Sequence, residues 1–350
     1  MLSQVRIVGA GLIGTSIALG LSARGLKVLL SDSDLAAARL ANDLAGGGEL
    51  DSPELVILAL PTAAIPMVIE AEFALNPDST FIDVGSVKSE VIRHINQSSL
   101  PLTQFVPTHP MAGREIGGAQ SARADLFATR SWVLTPTPEC GSKSLALAHE
   151  LIHLLGASAV ILSADDHDRA AATISHVPQI AASLVAQSLS NIPAPWLELS
   201  GQGLRDTTRI ATSDPYLWSE IIFSNRSEIS TVLKSLHNDL GSLIESIDDQ
   251  DVIEEFIARG ASGRALIPGK HGGKAREYTY LPIVINDKPG QLAAIFNECA
   301  VIDVNVEDLS IEHSPGQLSA LITLALSSTD AAALSRHLAG IGWNVHPVLK

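Results

Sequence analysis

The sequence contains few cysteines and few cations for its length. Its 350 residues include two cysteines, Cys140 and Cys299, which stand in no CxxC or Cys/His pattern. We therefore expect neither a disulfide framework nor a zinc site, and predict no metal. Lys and Arg number 23 against 38 Asp and Glu, which gives a net charge of -15. A surface that binds nucleic acid needs clustered cations, so nucleic acid is not an expected partner.

Long apolar runs are also absent from the sequence. No stretch of about 18 apolar residues occurs, so no membrane span is expected. The apolar N-terminus lacks a basic start and is interrupted by glycines, which is not typical of a signal peptide. We predict a cytoplasmic protein. With 46% hydrophobic residues, a chain of this length is expected to form two or three domains.

The N-terminal segment has the pattern strand, glycine turn, helix, strand, acid. In its GxGxxG turn, Gly9 permits a sharp bend, Gly11 lets the backbone approach a pyrophosphate, and Gly14 lets the helix pack closely on the sheet. Asp32 ends the second predicted strand, where a carboxylate can accept hydrogen bonds from ribose hydroxyls and would repel a 2'-phosphate. The pattern predicts an NAD site in preference to NADP. The alternative is a glycine turn in another kind of α/β protein.

Three further apolar runs are typical of buried parallel strands. The carboxyl ends of parallel strands meet at one edge of a doubly wound sheet, and ligands bind outside that edge. Leu60 and Pro61 follow the first of these strands, Ser86 follows the second and His109 the third. We therefore expect Ser86 and His109 to lie where a nicotinamide would bind. The predicted cofactor-binding residues are Gly9, Gly11, Leu12, Ile13, Gly14, Asp32, Leu60 and Pro61.

His109 and Ser86 are the candidate catalytic residues. A histidine with a pKa near neutral is suited to accept a proton from a hydroxyl as hydride leaves the same carbon. Ser86 can form a hydrogen bond with the same hydroxyl or with the imidazole. Each residue also has a purely structural interpretation: His109 as a strand-end histidine bonded to a backbone carbonyl, and Ser86 as a helix N-cap.

The composition changes at residue 164, after which the pattern is almost wholly helical. Apolar residues recur at three- and four-residue spacing between 229 and 247, as in a core or a subunit interface. A helical domain of about 100 residues has little core of its own, so we expect a homodimer. Residues 259–276 are rich in Gly, Lys and Arg and predict a linker, and the remainder has a βαββα pattern. The predicted domains are a Rossmann-type, doubly wound α/β domain (1–163), a helical substrate and dimerisation domain (164–262), a linker (263–277) and a C-terminal α/β domain (278–350).

Several blocks of the sequence resemble the prephenate/arogenate dehydrogenase family of tyrosine biosynthesis. The blocks are the glycine turn, DVGSVK at 83–88, HPMAGRE at 109–115, ISHVP at 174–178 and GLRDTTRIATSDP at 203–215. The C-terminal unit, with DKPGQL at 287–292, resembles an ACT regulatory domain. The resemblance implies NAD-dependent oxidative decarboxylation of prephenate to 4-hydroxyphenylpyruvate. It leaves arogenate as an alternative substrate and an aromatic amino acid as an effector.

The resemblance also implies roles for single residues. His109 would accept the proton of the ring hydroxyl of the substrate, with Ser86 as its partner. Glu115 falls at an acid associated with gating of the pocket. Arg209 would bind a substrate carboxylate and Asp206 would be its ionic partner. Since Asp206 and Arg209 are three apart on a predicted helix, they are alternatively a surface ion pair.

His176 and Gln179 are predicted to contact the substrate, and Gln179 departs from the family pattern. Several relatives that use prephenate continue SHxPH, whereas this chain has His176-Val177-Pro178-Gln179. A neutral amide thus replaces a group that could be cationic on the same helix face. Losing a cation is tolerated better by the amino-carboxylate of arogenate than by the keto-carboxylate of prephenate. Alternatively, Gln179 simply forms a hydrogen bond with the keto acid or with water.

Two other classes of function compete with this interpretation. A 6-phosphogluconate-like or hydroxy-acid dehydrogenase usually has a lysine in its second-domain helix, and residues 164–187 contain none. An amino-acid sensor built on an inactive dehydrogenase is disfavoured by the presence of Ser86, His109 and Arg209. An effector site in the C-terminal domain is expected at the seam between two copies. Its predicted residues are Asp287, Gly290, Leu292 and Asn305.

Overall fold

The computed structural model describes residues 2–114, 116–267, 278–286, 288–313 and 319–348. Contacts divide the chain into two compact units, Met1–Leu240 and Gly241–Lys350. Two of the predicted site residues, Glu115 and Asp287, lie outside the described residues, as does most of the predicted linker. None of the helices in the described ranges has the length and apolar content that crossing a bilayer requires.

A seven-stranded sheet forms the centre of the first unit. Its strand order is β2-β1-β3-β4-β5-β6-β7, and β1 to β5 all pair in parallel. This confirms the predicted Rossmann-type sheet, in which the order reverses between β1 and β3 and leaves a crevice at their carboxyl ends. The strands are β1 (Gln4–Val8), β2 (Lys27–Ser31), β3 (Leu55–Leu58), β4 (Thr80–Asp83), β5 (Phe105–Pro110), β6 (Ser131–Leu134) and β7 (Ser158–Ile161).

The parallel pattern ends within β5. The sequence predicted that this strand stops before His109, which is wrong, because Thr108, His109 and Pro110 continue the ladder by pairing antiparallel with β6. His109 lies opposite Val133 in this pairing. The partner strand is far away in sequence, so no local pattern signals the extension. His109 is therefore held by a strand and not by a loop.

Helices cover both faces of this sheet. The side chains of β3 show the division, since all four of its residues are buried. Leu55 and Ile57 belong to one apolar core, while Val56 and Leu58 belong to a second core on the other face. The helices that accompany the sheet are α1 (Leu12–Ser22), α2 (Leu35–Ala45), α3 (Ile65–Leu75), α4 (Ser89–Asn96) and α5 (Ser142–Leu154).

After β7 the first unit is helical, as predicted. Ala172, Val177 and Ile229 form only a small core here. In the helix from Arg226 to Glu245, the apolar stripe is buried at Ile229, but Leu236 and Leu240 are 46% and 52% exposed. The elements are α6 (Ala164–Ala171), a π-helical turn (Ala172–His176), α7 (Val177–Ser188), α8 (Ala194–Leu197), α9 (Gln202–Thr208), a 3-10 turn (Arg209–Thr212), α10 (Pro215–Ser224) and α11 (Arg226–Glu245).

A helix of the second unit occupies part of the expected linker. Helix α12 (Gln250–Ala265) starts at Asp249, whose carboxylate accepts the backbone N–H groups of Asp251 and Val252. The predicted linker is therefore wrong for residues 259–265. Each of the two glycines in that stretch costs the helix about 1 kcal/mol, which weakens a capped helix without ending it.

The rest of the second unit is a four-stranded antiparallel sheet with two helices. The strand order is β11-β8-β10-β9, and one face carries an apolar core that includes Ile283, Ile322 and Leu334. Val284 and Leu321, on alternate positions, are only half-buried. The predicted βαββα order is confirmed, and the fold is ACT-like. Its elements are β8 (Thr279–Asn286), α13 (Gln291–Val301), β9 (Asp308–His313), β10 (Ser319–Leu326), α14 (Ser328–Gly340) and β11 (Asn344–Val345).

Candidate active site

The glycine turn has the shape that a dinucleotide requires. Gly9 has φ +111°, and a Cβ built on it would lie 2.1 Å from the Ala59 carbonyl oxygen. A Cβ on Gly14 would lie 2.0 Å from the Gly9 carbonyl oxygen, so side chains at both positions would break the packing of turn, strand and helix. By contrast, apart from Gly11 and its two chain neighbours, no atom of the described residues lies within 4 Å of a Cβ built on Gly11. The turn is thus closed on the sheet side and open at Gly11.

The N-terminus of α1 is available for an anion. The helix begins at Leu12, and its N-cap residue, Gly11, has no side chain that could accept a hydrogen bond from the first-turn N–H groups. Backbone N–H groups in the first turn of a helix, together with the helix dipole, bind phosphate. The predicted residues Leu60 and Pro61 follow directly after Ala59, the residue against which the glycine turn packs.

Asp32 connects the end of β2 to the glycine turn. Its Oδ2 accepts the N–H of Ala10 at 2.7 Å, and its Oδ1 accepts the N–H of Asp34 at 2.9 Å. The carboxylate is half-buried at the carboxyl edge of the sheet. Together with the open turn at Gly11, this arrangement fits the ribose and pyrophosphate of a dinucleotide.

His109 is the first member of a chain of three polar side chains. Its Nδ1 lies 2.8 Å from Nε2 of His167, and Nδ1 of His167 lies 2.8 Å from Oδ1 of Asp168. His167 and Asp168 are buried in α6, whereas His109 is half-buried in β5. The fold thus brings residues 58 positions apart in sequence into hydrogen-bond contact.

The three residues determine which nitrogen of His109 carries a proton. A carboxylate only accepts hydrogen bonds, so His167 donates from Nδ1 to Asp168. Nε2 of a neutral His167 then holds a lone pair and accepts the Nδ1–H of His109. In a neutral His109 this leaves Nε2 without a proton. The geometry therefore prepares His109 Nε2 to act as a base.

The surroundings keep His109 and His176 neutral. Burial, followed by the neighbouring His167 and Lys88, holds the pKa of His109 well below its usual range, although Asp168 opposes the shift. Burial lowers the pKa of His176 to about 4, against the opposing charge of Asp168. Because a neutral imidazole is the form that accepts a proton, a low pKa keeps His109 in its basic form at neutral pH.

Asp168 also connects the helical segment to the N-terminus of α4. Its two carboxylate oxygens accept the backbone N–H groups of Lys88 at 2.8 Å and Ser89 at 2.9 Å. Burial alone would raise the pKa of Asp168, but the hydrogen bonds from His167 and from these backbone groups hold it below its usual value. The amide of Asn225 donates to the carbonyl oxygen of Asp168 at 2.8 Å and lies 3.2 Å from Nδ1 of His176. Asp168 is thus an anion fixed by many donors.

Ser86 lies beyond the end of β4 and is half-buried. Within the described part of the chain its hydroxyl makes no hydrogen bond, and Nδ1 of His109 is already bonded to His167. Its partnership with His109 stays a prediction. No local signal in the sequence identifies His167 or Asp168, because residue spacing does not show that this His-Asp pair meets His109 in the folded chain.

Gln179 is buried. The residue is only 5% exposed, and its Nε2 donates to the carbonyl oxygen of Ile210 at 3.0 Å. The hydroxyl of Ser213 donates to the same carbonyl oxygen at 2.7 Å. Gln179 thus holds the 3-10 turn in which Arg209 lies. His176, which was expected to share a helix face with Gln179, ends the π-helical turn and contacts Asn225 instead of Ile210.

The sequence predicted that Asp206 and Arg209 lie on one α-helix, and this prediction is wrong. Helix α9 ends at Thr208, and Arg209 begins the 3-10 turn that follows. Both side chains are exposed. The carboxylate of Asp206 accepts a hydrogen bond from Nε2 of Gln202 at 2.8 Å.

The ACT-like unit contains a pocket of about 320 Å³ at the start of α13. Gly290, with φ +89°, and Leu292 both line it, together with Lys288. Asn305, the other described residue of the predicted effector site, is exposed and donates to Glu307 Oε1 at 3.1 Å. Two of the predicted regulatory residues thus share one pocket.

Known proteins are similar to almost the whole chain. Residues 17–161 match the prephenate dehydrogenase nucleotide-binding domain, and residues 163–259 match the prephenate dehydrogenase dimerization domain. A probable prephenate dehydrogenase of Streptomyces niveus is 30% identical over 96% of this chain and 98% of its own.

Solved structures are similar to about three quarters of the chain. Prephenate dehydrogenase from A. aeolicus, in complex with hydroxyphenyl propionate and NAD+, has a TM-score of 0.68 and 26% identity, covering 76% of this chain and 99% of its own. Synechocystis arogenate dehydrogenase has a TM-score of 0.62 and 26% identity, covering 75% and 98%. The sequence matches and the shared fold lead to the same assignment: the chain belongs to the prephenate dehydrogenase family.

Proposed function

We propose that the protein catalyses the NAD-dependent oxidative decarboxylation of prephenate to 4-hydroxyphenylpyruvate in tyrosine biosynthesis. The observation that carries the proposal is the hydrogen-bonded chain from Asp168 through His167 to His109. It lies at the carboxyl edge of the sheet that also bears the glycine turn, in a member of the prephenate dehydrogenase family.

The cofactor would be held by residues at the crevice between the carboxyl ends of β1 and β3. Backbone groups at Gly11, Leu12 and Ile13 would bind the pyrophosphate, and Asp32 would accept hydrogen bonds from the ribose hydroxyls. A 2'-phosphate would be repelled by the same carboxylate, so NAD is the preferred cofactor. Bound NAD+ supplies the acceptor for hydride.

His109 is the general base in this proposal. Its unprotonated Nε2 accepts the proton of the ring hydroxyl while hydride leaves the carbon that bears this hydroxyl. The positive charge that develops on His109 is stabilised through His167 by the carboxylate of Asp168. Ser86 would form a hydrogen bond with the substrate hydroxyl. Loss of the ring carboxylate as carbon dioxide completes the aromatic ring, so the protein mainly has to supply orientation and one base.

Binding of the substrate side chain is assigned to the helical segment. Arg209 would bind the side-chain carboxylate, with Asp206 as its ionic partner, and Glu115 would gate the pocket. In a protein with a net charge of -15, a local cation is needed to hold a dianionic substrate. Gln179 supports this site through the carbonyl oxygen of Ile210, next to Arg209.

Arogenate is the second candidate substrate. The neutral amide of Gln179, in place of the histidine of several prephenate-using relatives, favours it, since arogenate carries an ammonium group that a cation would repel. The structural similarity to Synechocystis arogenate dehydrogenase is of the same order as that to the A. aeolicus enzyme.

We also propose a cytoplasmic homodimer that responds to an aromatic amino acid. The match to a dimerization domain and the exposed apolar residues Leu236 and Leu240 support the homodimer. Both cysteines are free thiols, as is usual in a reducing cytoplasm. The effector would bind at the pocket that Gly290 and Leu292 line, with the half-buried sheet face covered by a second copy.

Initial rates with both substrates and both cofactors test the proposal. Prephenate with NAD+ should give NADH and 4-hydroxyphenylpyruvate, with a higher kcat/KM than prephenate with NADP+ or arogenate with NAD+. A higher kcat/KM for arogenate than for prephenate would make arogenate the assigned substrate and would leave the assigned reaction type unchanged. The absence of reduced cofactor with every combination would contradict the proposed function.

A further inference from the structure

Lys88 is a charged side chain that the proposed chemistry does not use. It is completely buried, and its Nζ forms an ion pair with the equally buried carboxylate of Asp83. The same Nζ donates to the carbonyl oxygen of Thr108 at 2.6 Å. Lysine is almost never fully buried, because removing an ammonium group from water is costly unless it is paired and hydrogen-bonded. Because the burial of this ammonium group is costly, we looked for a role of Lys88 in the contacts that it makes.

The ion pair holds the backbone directly before His109. Asp83 Oδ1 accepts the N–H of Thr108 at 3.1 Å, while Lys88 binds the carbonyl oxygen of Thr108, which belongs to the peptide group shared with His109. The hydroxyl of Thr108 donates to the carbonyl oxygen of Asp83 at 2.6 Å and accepts from Nε1 of Trp132 at 2.9 Å. Every polar group of Thr108 is thus bonded.

Lys88 also contacts Asp168, which lies at the other end of the hydrogen-bonded chain from His109. Its backbone N–H donates to Asp168 Oδ1 at 2.8 Å, the same oxygen that Nδ1 of His167 contacts. One residue therefore binds the strand that carries His109 through its side chain and the carboxylate that orients His167 through its backbone.

We propose that Lys88, paired with Asp83, is a positioning residue that holds His109 in place against His167 and Asp168 and supplies a fixed positive charge beside it. The proposal rests on the proposed function of His109 as the general base. An error of about 1 Å in the position of a reacting group can cost roughly a hundredfold in rate, which gives a rigid ion pair at this place a catalytic consequence.

The charges around His109 agree with this role. After burial and the neighbouring His167, the ammonium of Lys88 lowers the pKa of His109, and the carboxylate of Asp168 opposes the shift. The pKa of Lys88 is itself lowered by burial, which Asp83 opposes. A base with a low pKa stays unprotonated to lower pH, so activity is lost only when the pH falls below that pKa. Removing the charge of Lys88 should raise this pKa and move the acid limb of the pH profile upward.

The test uses Lys88→Met, which keeps the length of the side chain and the backbone N–H but removes the charge. The double variant Asp83→Asn/Lys88→Met removes both charges and leaves no unpaired buried carboxylate. Lys143→Met, at an exposed lysine of α5, is the matched control. For each purified full-length variant, kcat, the KM values for prephenate and NAD+, the pH dependence of kcat/KM and the melting temperature are measured.

The expected result for Lys88→Met is a fall in kcat of about 10- to 100-fold, with the acid limb of kcat/KM at higher pH and the KM for NAD+ unchanged. The double variant should show the same direction of shift, and Lys143→Met should match the wild type. An acid limb at the wild-type pH in both variants would overturn the proposal. So would melting of both variants below the assay temperature, because the ion pair would then serve stability alone.

His109→Ala separates this proposal from the proposed function. If His109→Ala keeps wild-type turnover, His109 is not the base and the proposed function fails at that point. If His109→Ala is inactive but the acid limb of the Lys88 variants does not move, only the role of Lys88 is refuted.

Discussion

Replacing His167 tests the orientation of the catalytic base. His167→Leu removes the acceptor that lies 2.8 Å from Nδ1 of His109 and leaves that N–H without its partner. An unpaired, largely buried polar group costs about 1 to 3 kcal/mol. If this cost falls on the transition state, kcat should fall by about 5- to 160-fold.

A second variant at the same position provides the control. His167→Gln offers a carbonyl oxygen to His109 and an amide N–H to Asp168, so it should retain more activity than His167→Leu. His153→Leu, at an exposed histidine of α5, should behave as the wild type. Steady-state kinetics of the three variants across the pH range give the comparison.

The kcat of His167→Leu decides the outcome. A value within twofold of the wild type would refute the role of the hydrogen-bonded chain.

Three further predictions concern cofactor, substrate and effector. Asp32→Ser with Ser33→Arg should shift kcat/KM from NAD+ towards NADP+, by removing repulsion and adding a partner for the phosphate; a wild type that already prefers NADP+ would contradict this. Arg209→Ala should raise the KM for prephenate by an amount that corresponds to roughly 2 to 4 kcal/mol, and a change below about threefold would leave Arg209 a surface residue. Truncation after Gly273 should leave an active dehydrogenase whose rate no longer responds to tyrosine or phenylalanine; an intact enzyme indifferent to both would argue against an effector site.

The parts of the fold that follow local patterns could be predicted from the sequence. Patterns of neighbouring residues predict the glycine turn, the buried strand β3 and the βαββα order of the C-terminal unit. Gly14 illustrates why, since a Cβ there would collide with the carbonyl oxygen of Gly9, within the turn itself, and the requirement shows in the spacing of the motif.

The parts that depend on distant pairing could not be predicted. The extension of β5 through His109 needs β6 as a partner, and the contact between His109 and His167 needs the helical segment to fold onto the sheet. The hydrogen bond from Gln179 to the carbonyl oxygen of Ile210 likewise depends on where the 3-10 turn packs. Only the folded chain brings these partners together.

The most direct test of His109 as the general base compares His109→Ala with the wild type under saturating prephenate and NAD+. We expect kcat to fall by two to four orders of magnitude, the usual scale for a positioned base, while the KM for NAD+ stays nearly unchanged. A loss that appears only in the KM for prephenate would make His109 a binding group and would contradict the assignment of the base.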